Sequence, residues 1–156
     1  MEAFDPLGGR FWLQIGVAFL CGGVIGFERQ LRGKPAGVRT SILICLGTAI
    51  FVALGVAVDG ARGDPTRVLG QVVTGIGFLG AGVILARQGV VTGVTTASVI
   101  WMLASIGGVI GVGHFAAAVA LALLTVVVLT GVEVLESSVQ ALRSGVHARS
   151  GRNREQ

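Results

Sequence analysis

The chain has 156 residues, of which 53% are hydrophobic and 13% charged, with a mean hydropathy of +0.83. Soluble domains carry about 25% charge, so too little polar surface is available here to close a water-soluble globule. The formal charge of +4 and the pI near 10.5 do not point to nucleic acid either, because the cations stand at the ends of apolar segments and are not interleaved with stacking aromatics. What remains is an all-α, polytopic membrane bundle. Five apolar segments follow one another, each of about 20 residues, and at ~1.5 Å rise per residue each can cross a ~30 Å hydrocarbon layer.

The first helix is predicted at about 11–27. Its leader, Met1 to Arg10, carries Glu2 and Asp5 against one arginine, and no small-residue cleavage site closes the apolar run, so a retained span is expected and not a signal peptide. Trp12 falls where an interfacial aromatic belt would sit. Gly22 and Gly26 have the spacing that lets helix backbones approach closely. Cys21 lies in this segment and Cys45 in the next, at similar depths, and both read as small buried hydrophobes.

A dense basic turn follows, with Arg29, Arg32 and Lys34, then Arg39 just beyond, opposed only by Glu28. A charge at membrane depth costs about 2.5–3.5 kcal/mol on insertion scales and is tolerated chiefly when paired or hydrated. Glu28 is therefore the sharpest polar candidate. It could pair with Arg39 or Arg87, either as a salt bridge that pins the turn or as a contact for a ligand or partner.

The second helix is predicted at about 38–58 and the third at about 68–86. Between them, Asp64-Pro65-Thr66-Arg67 reads as a helix start, with Asp64 as cap and Pro65 at the first helical position. Arg67 and Gln71 lie one turn apart and either simply enter the bilayer or line a small polar vestibule. In the third helix Gly77 and Ala81 repeat the small-residue spacing, so a large side chain at Gly77, as at Gly107, is expected to separate the bundle. The run Gly75-Ile-Gly77-Phe-Leu-Gly80 matches a dinucleotide fingerprint in form alone. It lacks the preceding strand and the acidic residue about 20 positions on.

Helix four is predicted at about 92–112, opening with the hydroxyls of Thr92, Thr95, Thr96 and Ser98 and carrying the small pair Gly107 and Gly111. Trp101 lies too deep for an interfacial anchor. Helix five is predicted at about 115–135, with Glu133 and Glu136 reaching the interface at its end and His114 and His147 isolated. Residues 1–136 thus form one transmembrane domain. Residues 137–156 form a basic tail, expected as a frayed helical extension with a disordered end and drawn to anionic lipid.

Five spans put the termini on opposite sides. The first turn, Arg87 and the tail arginines Arg143, Arg149, Arg152 and Arg154 fall on one side, which the positive-inside rule makes cytoplasmic. The amino terminus is then outside and the carboxyl terminus inside. A weak repeat relates Gly23-Val-Ile and Gly37-Val-Arg-Thr to Gly82-Val-Ile and Gly93-Val-Thr-Thr, which either is chance or makes helices three and four a parallel copy of helices one and two.

Taken together, Gly26-Phe-Glu28-Arg29, Lys34-Pro-Ala-Gly37-Val-Arg39-Thr40, Asp64-Pro-Thr-Arg67, Gly75-Ile-Gly-Phe-Leu-Gly-Ala-Gly-Val-Ile84 and Gly93-Val-Thr-Thr-Ala97 with Trp101 resemble the MgtC/SapB family of bacterial inner-membrane proteins. The resemblance is close over helices one to four and rests on hydropathy alone in helix five. It implies a five-helix domain of the cytoplasmic membrane without known enzymatic chemistry, in a family whose better-studied members are linked to growth in low magnesium, survival inside macrophages and restraint of the proton-driven ATP synthase. Longer members add a soluble domain after the last helix, which this sequence does not include, and a polar amide stands in the virulence-linked member where this chain has Thr95.

The expected function is that of a non-enzymatic regulator that binds another membrane complex, ATP synthase being the family-based candidate, with self-association also open. No metal, cofactor or nucleic acid is expected. The polar residues singled out are Glu28, Arg39, Asp64, Arg67, Gln71 and Thr95. The alternative is a small ion or solute transporter with a polar path between the two hairpins, and its weakness is a midplane without acidic residues.

Overall fold

The structure, a computed structural model, describes residues 6–59, 65–88 and 90–152; the side chains of Asp59, Pro65, Thr66 and Arg87, and those beyond Leu135, lie outside the described residues. Five helices run in order: α1 (Gly9–Leu31), α2 (Val38–Asp59), α3 (Pro65–Val83), α4 (Val94–Gly111) and α5 (Phe115–Arg152). Gly9–Leu31, Val38–Val58, Val94–Gly111 and Phe115–Leu135 are each long and apolar enough to cross a bilayer. The apolar part of α3 is shorter, Arg67–Val83, though a helix of 19 residues still reaches about 28 Å. The chain is a helical membrane bundle.

Local chemistry explains where the helices stop. At the end of α1 the Gly33 N–H donates to the Gln30 carbonyl at 3.1 Å and the Lys34 N–H to the Arg29 carbonyl at 2.9 Å. This Schellman pattern needs a left-handed residue, and Gly33, with φ 63°, supplies it. Pro35 follows and forbids continuation. The end of α4 repeats the device, with Gly113 at φ 91° donating to Ile110 and His114 donating to Val109. α3 opens on Pro65, whose missing N–H costs nothing at a first helical position; Asp64, its expected cap, lies outside the described residues.

The predicted third helix extended to residue 86 and the fourth began at 92. The structure instead ends α3 at Val83 and inserts two short antiparallel strands, β1 (Leu85–Arg87) and β2 (Val90–Thr92), pairing Leu85 with Thr92 and Ala86 with Val91. Hydropathy does not register this break, because Val90 and Val91 are as apolar as helix residues while their β-branching suits a strand. Thr92 consequently belongs to the hairpin and not to α4. Gly93 turns the chain back into α4 at φ 89°, where a Cβ would lie 2.0 Å from the Val83 carbonyl oxygen.

The buried centre is built from α1, α2, α4 and α5. Ala18, Cys21, Ile25, Cys45, Ala49, Leu103, Ile106, Ile110, Ala118 and Ala122 form one cluster, in which both cysteines are free and buried. Glycines let the helices close. A Cβ at Gly22 would come within 2.7 Å of Ile42 Cα, and one at Gly26 within 2.6 Å of Val38 Cα. On the other side of α2, a Cβ at Gly107 would lie 2.4 Å from the Cys45 carbonyl oxygen and one at Gly111 2.7 Å from Val52 Cβ.

Gly77 and Ala81 do not join this pattern. Both are exposed, and a Cβ at Gly77 meets nothing within 4 Å, so a larger side chain there does not separate this bundle. The reason is rotation: α3 touches α4 through Gly80, whose added Cβ would lie 3.7 Å from Ala97, which turns Gly77 outward. Trp12 is exposed and donates from Nε1 to the Pro6 carbonyl at 2.8 Å, while Trp101 is half-exposed beside α3.

Candidate functional site

α1 buries one stripe along its length, through Gln14, Ala18, Cys21, Ile25 and finally Glu28 with Arg29. The steps of three and four residues place all of them on one face. Gln14 reconciles its polarity by donating to the Ala49 carbonyl at 3.3 Å. The other end of the stripe is less easily satisfied, since the same geometry that buries Ile25 carries a carboxylate and a guanidinium inward one turn later.

Arg29 is 4% exposed. Its Nη2 donates to Thr96 Oγ1 in the first turn of α4 at 3.1 Å, whereas its Nε finds no acceptor. Glu28 is 8% exposed and ion-paired with Arg32, one turn on, whose Nε stands 2.7 Å from Oε1. The ion pair engages Oε1, and Oε2 has no hydrogen-bond partner. Arg32 also pairs with Glu133 on α5, and Lys34 Nζ lies 3.9 Å from the same carboxylate. The basic turn is thus tied across to the last helix.

These groups border a cavity of about 640 Å³, walled by Glu28, Arg29 and Lys34 on one side, Thr95 and Thr96 on α4, and Glu133 on α5. No side chain caps α4, because its N-cap is Gly93. Among the described residues no three His, Cys, Asp or Glu side chains gather as a metal site.

The other candidates fall elsewhere. Arg39 is exposed and lines an apolar groove of about 700 Å³ between α2 and α3, together with Thr40, Thr48 and Gln71. Glu28 therefore pairs with Arg32, not with Arg39: residue 32 lies four positions on along α1, whereas residue 39 begins α2 and turns to the groove. The side chain of Arg87, the other expected partner, lies outside the described residues, as does Asp64. Arg67 is exposed near the start of α3, and Thr95 is exposed at the cavity wall. Arg29 and Thr96 stand in the motifs quoted above but not among the polar residues singled out, and no motif points to the Arg32–Glu133 link. The three-four spacing from Gln14 to Glu28 is the signal that would have found the buried charges.

A helical bundle with one buried ionic cluster at the end of its basic turn defines a multi-pass membrane protein in contact with lipid. The model of the MgtC family matches residues 15–138, and the chain belongs to that family. It is 42% identical over 127 residues to the Escherichia coli K12 protein named "Putative magnesium transporter YhiD", an alignment covering 77% of this chain and 59% of that one. It is 45% identical over 125 residues to protein MgtC of Brucella abortus strain 2308, covering 80% of this chain and 51% of the relative. An uncharacterized Synechocystis protein, slr0014, is 43% identical over 107 residues, covering 69% and 45% respectively. The chain thus spans about half the length of the curated relatives it matches. No solved structure matches it.

Proposed function

We propose that the chain is a non-enzymatic regulator in the bacterial cytoplasmic membrane, active in adaptation to low magnesium, and that it acts by setting the outer face of α3 against a helix of another membrane protein. The observation that carries this reading is the state of that face. Added Cβ atoms at Gly70 and Gly77, two turns apart on one side of α3, would meet nothing within 4 Å, nor would those at Gly75 and Gly82 on a second side, and Phe78 between the two is 82% exposed. Lipid tails give such a surface no hydrophobic reason to be covered, but a flat small-residue face gains van der Waals contact when another helix backbone approaches. α3 supplies no residue to the central buried cluster and has an open groove on either side, so a partner can cover it without repacking the core.

The magnesium link rests on family membership and on the names of relatives, and the ATP synthase is the partner suggested by the family resemblance. A transport path has less support. Among the described residues, the buried polar side chains between the two ends are neutral, Ser41, Thr48 and Thr125, and Ile25, Leu103 and Ile106 fill the space between them at 0% exposure.

Affinity capture of the tagged chain from native membranes tests the proposal. The wild type is expected to recover a reproducible membrane partner, and Gly77→Leu to lose it while inserting and melting as the wild type does. Recovery of no partner, together with an unchanged rate of proton-driven ATP synthesis in a deletion strain, would overturn it.

A further inference from the structure

The cavity at the basic end carries an inference that does not depend on what covers α3. Its immediate surroundings hold three cations, Arg29, Arg32 and Lys34, against two carboxylates, Glu28 and Glu133. The excess is positive, which disfavours a metal cation and favours an anion. The first turn of α4 opens on the same space behind Gly93 without a side-chain cap, and uncapped N–H groups at a helix start attract negative oxygen.

Buried side chains give the second, independent indication. Arg29, at 4% exposure, has an Nε donor with no acceptor; Glu28, at 8%, has its Oε1 against Arg32 but an Oε2 acceptor with no donor. Both residues line the cavity. Leaving buried charged groups short of partners is costly, and the two deficits are complementary in kind: one calls for an acceptor, the other for a donor. Beside the hydroxyls of Thr92, Thr95 and Thr96 the wall is apolar, with Leu85, Val91, Val94, Val128 and Val132 all roughly half or more exposed. An opening bordered by those side chains at the membrane boundary admits a molecule with a polar head and an apolar body.

We propose that this cavity binds a phosphate ester whose head also carries a hydrogen-bond donor, the phosphate facing Arg29, Lys34 and the start of α4, and the donor facing Glu28. Phosphatidylglycerol has this chemistry in lipid and glycerol 1-phosphate has it in solution. Phosphatidylcholine has the phosphate without the donor.

Native mass spectrometry of the full chain purified in detergent distinguishes these, using phosphatidylglycerol and phosphatidylcholine of equal chain length as probes. Loss of a charge-assisted contact is worth about tenfold in affinity, so phosphatidylglycerol should be retained about tenfold better than phosphatidylcholine, Glu28→Gln should abolish most of that preference, and Lys34→Ala should weaken retention of both lipids. Arg29→Lys should do the same, and Lys34→Ala, at a side chain 48% exposed, keeps the test valid if the buried variant fails to fold. Arg10→Ala removes the same charge at the opposite end of α1 and should leave retention and preference intact. Displacement of phosphatidylglycerol by glycerol 1-phosphate would support the site and assign a soluble source; resistance to it would support a lipid source. Equal retention of the two lipids, or an equal loss in Arg10→Ala and Lys34→Ala, would overturn the proposal.

Discussion

Replacing Gly107 by alanine adds one methyl group where α4 lies against α2. The new Cβ would sit 2.4 Å from the Cys45 carbonyl oxygen, 2.8 Å from Thr48 Cβ and 3.2 Å from Ala49 N, against ordinary contacts of 3.4–4 Å. Two of these atoms are backbone, so no side-chain rotation relieves them and the helices must part by about 1 Å, a gap that forfeits a quarter to a half of each dispersion contact it opens. Alanine returns up to ~1 kcal/mol through its better helix propensity. Overpacking costs about 1–3 kcal/mol, and with backbone as the obstacle the cost should lie near the top of that range, leaving a net loss of about 2 kcal/mol. Reversible unfolding in mixed dodecyl maltoside and sodium dodecyl sulfate micelles measures it. The control is Gly77→Ala, where nothing lies within 4 Å and stability should hold or rise. Equal stability of Gly107→Ala and wild type, or a Gly77→Ala variant as damaged as Gly107→Ala, would refute the packing argument.

Gly93→Ala should be worse tolerated still, since it combines a left-handed φ of 89° with a Cβ 2.0 Å from the Val83 carbonyl oxygen; a lowered melting temperature and increased proteolysis between α3 and α4 are the expected readouts. Glu28→Ala takes the nearby carboxylate from buried Arg29 and leaves Arg32 only Glu133, and breaking a buried pair costs about 3–5 kcal/mol; Glu28→Gln, which keeps the shape, should lose less in the same unfolding assay. Liposomes carrying the purified chain should hold a magnesium gradient as well as empty ones do, and a flux that Glu28→Gln abolishes would put the transporter reading ahead of the regulator.

Hydropathy and length made the helices legible, because a bilayer imposes a simple requirement on each span. A helix start was legible where its chemistry is local, as at Pro65, the first residue of α3. The β1–β2 hairpin was not, since its valines satisfy the same apolar pattern as the helices around them. Small-residue spacing has a related limit. It marks Gly107 and Gly111, which lie against the α2 backbone, and equally Gly77 and Ala81, which face outward, because spacing identifies a flat face without saying which way the helix is turned. At the ionic cluster, the sequence reading offered Arg39 or Arg87 as the partner for Glu28. Helix geometry selects Arg32 instead, and it brings Glu133 in from more than 100 positions away, a relation no local pattern carries.

The central claim is a lipid-embedded bundle whose basic turn faces the cytoplasm. Single cysteines at Pro35 and His114, both exposed, in a chain with Cys21 and Cys45 replaced by alanine, test it through labelling of intact cells with a membrane-impermeant maleimide. The account predicts that position 114 reacts at once and position 35 only after the membrane is permeabilised; reaction of position 35 from outside, or recovery of the protein in the supernatant after ultracentrifugation, would contradict it.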